Sequence, residues 1–372
     1  MMSCVRVAVA GCSSYERKGV ENAVGMVMEE LEPIGIGSGD RVLVKPNLLS
    51  AREPREGVTT HPAVVAEVVK YLAGKGAKVL IGDSPCNRRV RVEELWERTG
   101  MAGVARETGA ELVSLDGRSA VKVGSLGEEV YLTPYAFDVD AVVSVPKLKT
   151  HGLTQLTCGV KNLFGLIPGY AKLECHKKYH RGKDFSRLLA AVLAAVRPKV
   201  TVADAIVAMD GAGPSHGGLV NAGLVLGGKD AAALDAVCAH LMGFKEGEVG
   251  HVRLAGKLGV GEADLSRIEV VGEELSRLLL KSFKRPKANA QELVPEFVAK
   301  LFHRFIWVRP HFTERCTGCG VCVENCPAGA LKMGDGKPML TPKECIECFC
   351  CDESCPHDAV ELRHGPLARF FV

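Results

Sequence analysis

Ala141-Val142-Val143-Ser144-Val145-Pro146-Lys147-Leu148-Lys149-Thr150-His151 decides how most of the chain is read. A short run rich in β-branched residues stops at a proline and gives way at once to lysines and a histidine. The same transition recurs where Arg41–Val44 runs into Lys45-Pro46-Asn47, Lys78–Ile81 into Gly82-Asp83-Ser84-Pro85, and Lys199–Val202 into Ala203-Asp204. Val5–Ala10 and Ile268–Val271 are further strand candidates. Between them lie amphipathic stretches, Asp184–Val196 and His61–Gly74, the latter with Val64, Val65, Val68, Val69 and Leu72 on one helical face. The alternation predicts an α/β domain over residues 1–280, a mostly parallel sheet flanked by helices.

In open α/β sheets ligands bind outside the carboxyl ends of the strands. Any single polar residue there is ordinary where a sheet meets water, but several strands deliver such groups to one edge. Lys147, His151, Asp83 and Asp204 are the candidate catalytic residues, with the histidine or either aspartate able to move a proton. Lys45, Asn47, Lys149, Lys161, Asn162, Lys172 and His176 are the candidate ligand-binding residues. Lysine and histidine gathered this way suit a small anion, carboxylate or phosphate. The glycine-rich loop Gly211-Ala212-Gly213-Pro214-Ser215-His216-Gly217-Gly218 is expected to cover that ligand, with Gly211 and Gly213 offering backbone N–H donors. It lacks the Walker pattern, and Gly35-Ile36-Gly37-Ser38-Gly39 follows no strand, so neither a phosphate loop nor a dinucleotide fingerprint is supported. His176 and His180 stand four apart, which on a helix makes a metal pair with Cys175 nearby; solvated or anion-binding histidines are the plainer reading. A further cluster using Cys158 or Cys175 is the other open possibility.

Fifteen cysteines would suit a disulfide scaffold if they were spread evenly, but nine fall between Cys316 and Cys355. They repeat one pattern: Cys316, Cys319, Cys322, Cys326-Pro327, then Cys345, Cys348, Cys351, Cys355-Pro356. Each is the C-x2-C-x2-C-x3-C-P run of bacterial ferredoxins, in which the fourth cysteine ligates the other cluster. Two 4Fe–4S clusters follow, the first on Cys316, Cys319, Cys322 and Cys355, the second on Cys345, Cys348, Cys351 and Cys326. A zinc ribbon fits the doubled triplets poorly. Gly318 and Gly320 suit positive φ in the first loop, whereas Glu347 and Phe349 hold the matching places in the second. Cys350 has no place in the pattern and reads as a packing residue. Residues 312–372 are therefore expected to form a small α+β ferredoxin-like domain.

Residues 281–311, basic and aromatic, read as a neck between the two domains, although such a segment also suits a membrane surface or nucleic acid. A net charge of +3 gives no field strong enough to imply nucleic acid. No apolar run approaches the ~20 residues that span a bilayer, and the chain starts without a cationic-then-apolar leader, so a cytoplasmic protein without a transmembrane segment is expected.

Lys45-Pro46-Asn47-Leu48, Thr60-His61-Pro62, Gly82-Asp83-Ser84-Pro85, Pro146-Lys147-Leu148-Lys149-Thr150-His151, Lys161-Asn162-Leu163-Phe164-Gly165 and Met209-Asp210-Gly211-Ala212-Gly213-Pro214 resemble, in order, the family called domain of unknown function 362. Asp210 stands where glutamate is expected in that family. The resemblance implies an iron–sulfur centre protein with a joined ferredoxin domain, and it supplies no reaction. The leading expectation is an iron–sulfur oxidoreductase that relays single electrons, exchanged with a redox partner protein, to a small anion at the strand ends. The alternatives are a ferredoxin-like carrier whose large domain docks a redox partner, and a ligase, transferase or nucleic-acid binder with structural or sensing clusters.

Overall fold

The computed structural model describes residues 4–85, 89–275, 278–280, 282–286 and 305–367. Much of the expected neck, residues 287–304, lies outside the described residues.

The large domain is built on one sheet. Its strands are β1 (Val5–Gly11), β2 (Arg41–Pro46), β3 (Lys78–Ile81), β4 (Glu111–Leu112), β7 (Ala141–Val145), β10 (Val200–Asp210), β11 (Gly218–Gly228) and β12 (Ile268–Gly272), in the order β12-β1-β11-β10-β7-β2-β3-β4. All neighbours pair in parallel except β11, which runs antiparallel to both β1 and β10. Strands β5 (Val121–Ser125) and β6 (Glu128–Leu132) form a separate hairpin.

Alternation along the strands sends side chains to opposite faces. Val42 and Val44 pack with the helices Arg17–Glu30 and Pro62–Gly74, while Leu43 and Val142 pack with the helix Gly182–Val196 on the other face. His61 starts the second of these helices: its Nδ1 accepts from Ala63 N at 3.2 Å, and Pro62 follows at the first helical position.

The strand expected at Lys199–Val202 continues to Asp210 and turns back as β11, so the glycine-rich segment is the end of a long hairpin. After Val145 the chain leaves β7 at Pro146 and resumes as β8 (Lys147–His151), which pairs with β10 and with the short β9 (Gln155–Thr157). Proline cannot donate to a ladder, which is consistent with a break there. The break carries Lys147, Lys149 and His151 past the carboxyl end of β7, alongside β10.

In the small domain β13 (Val308–Phe312) pairs antiparallel with β16 (Val360–His364), and β14 (Leu331–Met333) with β15 (Pro338–Leu340). Val308, within the expected neck, is already part of this sheet. The domain sits against the carboxyl edge of the large sheet, and Val308 and Phe349 join the large domain's core.

Candidate functional site

Lys45 leaves the end of β2 and is completely buried. Its Nζ lies 2.8 Å from Asp83 Oδ1 at the end of β3, donates to Pro46 O at 2.8 Å and to Asn162 Oδ1 at 3.2 Å. Asp83 is held in turn by the N–H of Leu48 and of Ser84, and Asn162 Nδ2 donates to Lys45 O and Ser144 Oγ. Burial pushes the Lys45 ammonium down to about 8, against the opposing pull of Asp83. The pair exists because Gly165 lets it: a Cβ there would stand 2.2 Å from Asp83 Oδ1 and 2.5 Å from Lys45 Nζ.

Around this pair opens a pocket of about 670 Å³, a volume that includes space open to solvent. Lys161, Lys172, Ser84, Asn47 and His176 line it, with Leu49, Phe164 and Leu173 as apolar wall. Lys172 is positioned by Ser84, donating to its carbonyl and, at 2.8 Å, to its hydroxyl. His176 stacks on Phe185 with ring centroids 5.1 Å apart, and burial pushes its imidazole down to about 4. The helix Gly169–Lys178 ends before His180, so His176 and His180 do not share one helical face as a metal pair would require. Cys158 lies elsewhere, its Sγ 3.8 Å from Cys238 Sγ in the core, so it does not join Cys175.

The roof of the pocket comes from the small domain as Asn325, Cys350 and Glu353. Glu353 Oε1 stands 3.0 Å from His151 Nε2. His151 Nδ1 accepts from Leu153 N at 3.0 Å, so its proton sits on Nε2, facing the carboxylate. Burial disfavours charge on Glu353, but His151, Lys161 and His176 hold its carboxyl at about 2. No local signal in the sequence marks Asn325 or Glu353 as pocket residues; each is separated from Lys45 by most of the chain.

Lys147 and Asp204 form a second, closed cluster that does not line the pocket. Lys147 Nζ lies 2.9 Å from Asp204 Oδ2 and 2.6 Å from Tyr15 OH, and both members of the pair are buried. Tyr15 OH donates to Asp204 Oδ1 and His61 N to Oδ2, while the Tyr15 and His61 rings stack 3.6 Å apart. Lys149 is also buried; its Nζ donates to Val58 O at 2.7 Å, and burial together with Lys161 and Lys147 pushes it well below the usual lysine range. The expected role of Gly211 and Gly213 as free donors is corrected. Gly211 N donates to Lys284 O and Gly213 N to Thr150 Oγ1, so neither N–H is open to a ligand. Their hairpin meets the small domain instead, with His216 Nδ1 3.0 Å from Asp358 Oδ1.

In the small domain, one cavity is lined by Cys326, Cys345, Cys348 and Cys351, and another by Cys316, Cys319, Cys322 and Cys355. These are the two crossed sets that the spacing implies. Residues fit a cluster in each: four cysteines line a mostly apolar cavity, and Ala330 N and Ala359 N donate to Cys326 Sγ and Cys355 Sγ at 3.2 and 3.3 Å. The loops take matching shapes, with Gly318 and Gly320 at φ 70° and 76° and Glu347 and Phe349 at 56° and 64°. Cys350 is buried and lines both the second cysteine cavity and the lysine pocket.

Comparison with known families agrees with these two parts: a domain of unknown function, DUF362, matches residues 42–240, and a 4Fe–4S binding domain matches residues 310–332. The chain belongs to the DUF362 family. With its 4Fe–4S binding domain this DUF362 member is an iron–sulfur protein. It is 33% identical over 241 residues to a thylakoid-associated protein of Synechocystis sp., covering 63% of this chain and 74% of that one. Among solved structures it is similar to the lactate racemase apoprotein of Thermoanaerobacterium thermosaccharolyticum, with TM-score 0.43 and 17% identity over 65% of this chain and 57% of that one. A structural-genomics protein of Thermotoga maritima gives TM-score 0.37 and 16% identity over 54% of this chain and 52% of that one. Among the described residues no helix is long and apolar enough to cross a membrane.

Proposed function

We propose that this DUF362 protein is an oxidoreductase in which two 4Fe–4S clusters relay single electrons to a small anion held in the lysine pocket. The observation that carries this reading is Cys350, which stands in the wall shared by the second cysteine cavity and the pocket. An electron leaving that cavity has no further domain to cross. A bound 4Fe–4S cluster supplies one electron at a time, received here from a reduced carrier protein.

The chain's own residues do the rest. Lys161 and Lys172 hold the anion by charge, and Asp83 and Asn162 keep Lys45 beside it. One electron entering the ligand raises its negative charge by one, and one proton from Lys45 Nζ, given up from its 3.2 Å hydrogen bond to Asn162 Oδ1, restores the original charge. A lysine at about 8 releases a proton far more readily than an ordinary one. The roof of Asn325, Cys350 and Glu353 limits water while this happens.

The test is anaerobic purification, iron and sulfide counting, paramagnetic resonance of the reduced protein and mass spectrometry of co-purifying small molecules. The reading expects eight irons, cluster signals and a bound anion that Lys172→Met releases without loss of iron. Eight irons with an empty large domain turn the assignment towards an electron carrier, and zinc in the cysteine cavities overturns both.

A further inference from the structure

Four polar atoms that line the pocket are buried and lack a hydrogen-bond partner: Asn47 Oδ1, Thr157 Oγ1, His176 Nδ1 and Asn325 Oδ1. Thr157, His176 and Asn325 are each more than nine-tenths buried, at 3%, 6% and 2% exposure. Buried polar groups in native proteins are paired as a rule, because an unpaired one forfeits its hydration without return. Their gathering around one cavity is what a ligand carrying hydrogen-bond donors would satisfy.

The chemistry of the four defines what it must offer. Asn325 Nδ2 donates to Val321 O at 2.9 Å, so the end of that amide left over is the oxygen, an acceptor. Asn47 also presents an oxygen. The Thr157 hydroxyl and the neutral His176 ring can each accept. Glu353 Oε1 faces His151 Nε2 at 3.0 Å and is already engaged there, so it is not counted among these acceptors. The donor side of the pocket is largely committed: all three Lys45 protons have partners, and Lys172 spends two on Ser84. Charge limits the ligand further, since Lys45, Lys161 and Lys172 exceed Asp83 and Glu353 by a single positive charge among the ionic side chains of the wall.

We infer that the ligand is a small organic monoanion, a carboxylate that carries its own hydrogen-bond donors as hydroxyl groups, and that Thr157, His176 and Asn325 receive those donors. The inference rests on the pocket being the anion site proposed above and adds the class of anion. A dianionic phosphate would leave negative charge uncompensated in a buried site, and a plain carboxylate would leave the acceptors as they stand.

The experiment is anaerobic calorimetric titration of the cluster-loaded full-length protein with two probes of equal charge, acetate and glycolate. Glycolate is expected to bind at least tenfold more tightly. Thr157→Val keeps the shape of the side chain and removes a hydroxyl that has no partner in the fold, so it should fold and load iron normally. In that variant, and in His176→Phe, the preference for glycolate should shrink. Equal affinity for the two probes, or a preference that neither substitution changes, overturns the inference while leaving the anion site intact. Failure of both probes to bind counts against the anion site itself, and the inference falls with it.

Discussion

Lys147 and Asp204 show how burial changes what a charged pair means. Both follow strand-forming runs in the sequence, where a catalytic pair is expected, but the structure places Asp204 within β10 and closes the pair against Tyr15 and His61 away from the pocket. Removing one partner of such a pair leaves the other charge buried and alone. Lys147→Met is therefore expected to cost about 3–5 kcal/mol of stability. Adding Asp204→Asn, which keeps an oxygen for Tyr15, should recover part of it; denaturant midpoints under anaerobic conditions measure both. The buried histidine gives a pH prediction. His176 is held at about 4, below the usual 6.5, so between these values the unfolded chain takes up a proton that the folded one refuses. Stability should fall as pH drops from 6.5 towards 4 by up to about 1.4 kcal/mol per pH unit for this group. His176→Phe, which keeps the stacking on Phe185, should flatten that slope in denaturation curves taken between pH 7 and 5.

The second cysteine loop illustrates an element whose two ends obey different demands. Its backbone takes the left-handed conformation that glycine supplies in the first loop, yet it uses Glu347 and Phe349. Their side chains explain the choice, since Glu347 Oε2 accepts from Val308 N at 3.0 Å and Phe349 packs into the large domain's core. The left-handed strain, roughly 1–2 kcal/mol per residue, is offset by anchoring the loop to its neighbour. Phe349→Gly should relax the backbone and still lose about 3–5 kcal/mol of docking, the range for emptying a buried aromatic site. Increased cleavage between the domains in limited proteolysis would report that loss; unchanged cleavage would mean that Phe349 does not hold the domains together.

At the scale of the molecule, the pocket belongs to neither domain alone. Lys45, Asp83 and Lys172 come from the large domain and Asn325, Cys350 and Glu353 from the small one. Among the described residues, the buried apolar side chains of the small domain that join a core cluster are Val308 and Phe349, and they pack with the large domain, so the cysteine loops are expected to depend on what the cysteines hold. Stripping the iron with a chelator is expected to loosen the roof while the sheet of the large domain stays folded. Small-angle scattering should then show a larger radius of gyration with the circular dichroism of the large domain retained, and a radius unchanged by chelation would place the roof's stability elsewhere.

The parallel sheet, the polar strand ends and the crossed cysteine sets were legible because each is a local signal: a hydrophobic period, a residue at a strand end, a fixed spacing. Strand β3 lies at Lys78–Ile81 and β7 at Ala141–Val145, as their patterns indicate. The run Lys199–Val202 gave no sign that it would continue to Asp210, because pairing with β11 extends it. Nor could strand-end position divide Lys45 from Lys147, since one faces a pocket and the other an aspartate only after the chain has packed. Sequence by itself determined which residues follow the strand-forming runs and which cysteines line one cavity, for both follow from spacing along the chain. Only the tertiary structure decided that Glu353 and Asn325 close the lysine pocket and that Cys350 stands in the wall between the two cavities, because contacts between distant segments are set by how two folded surfaces fit.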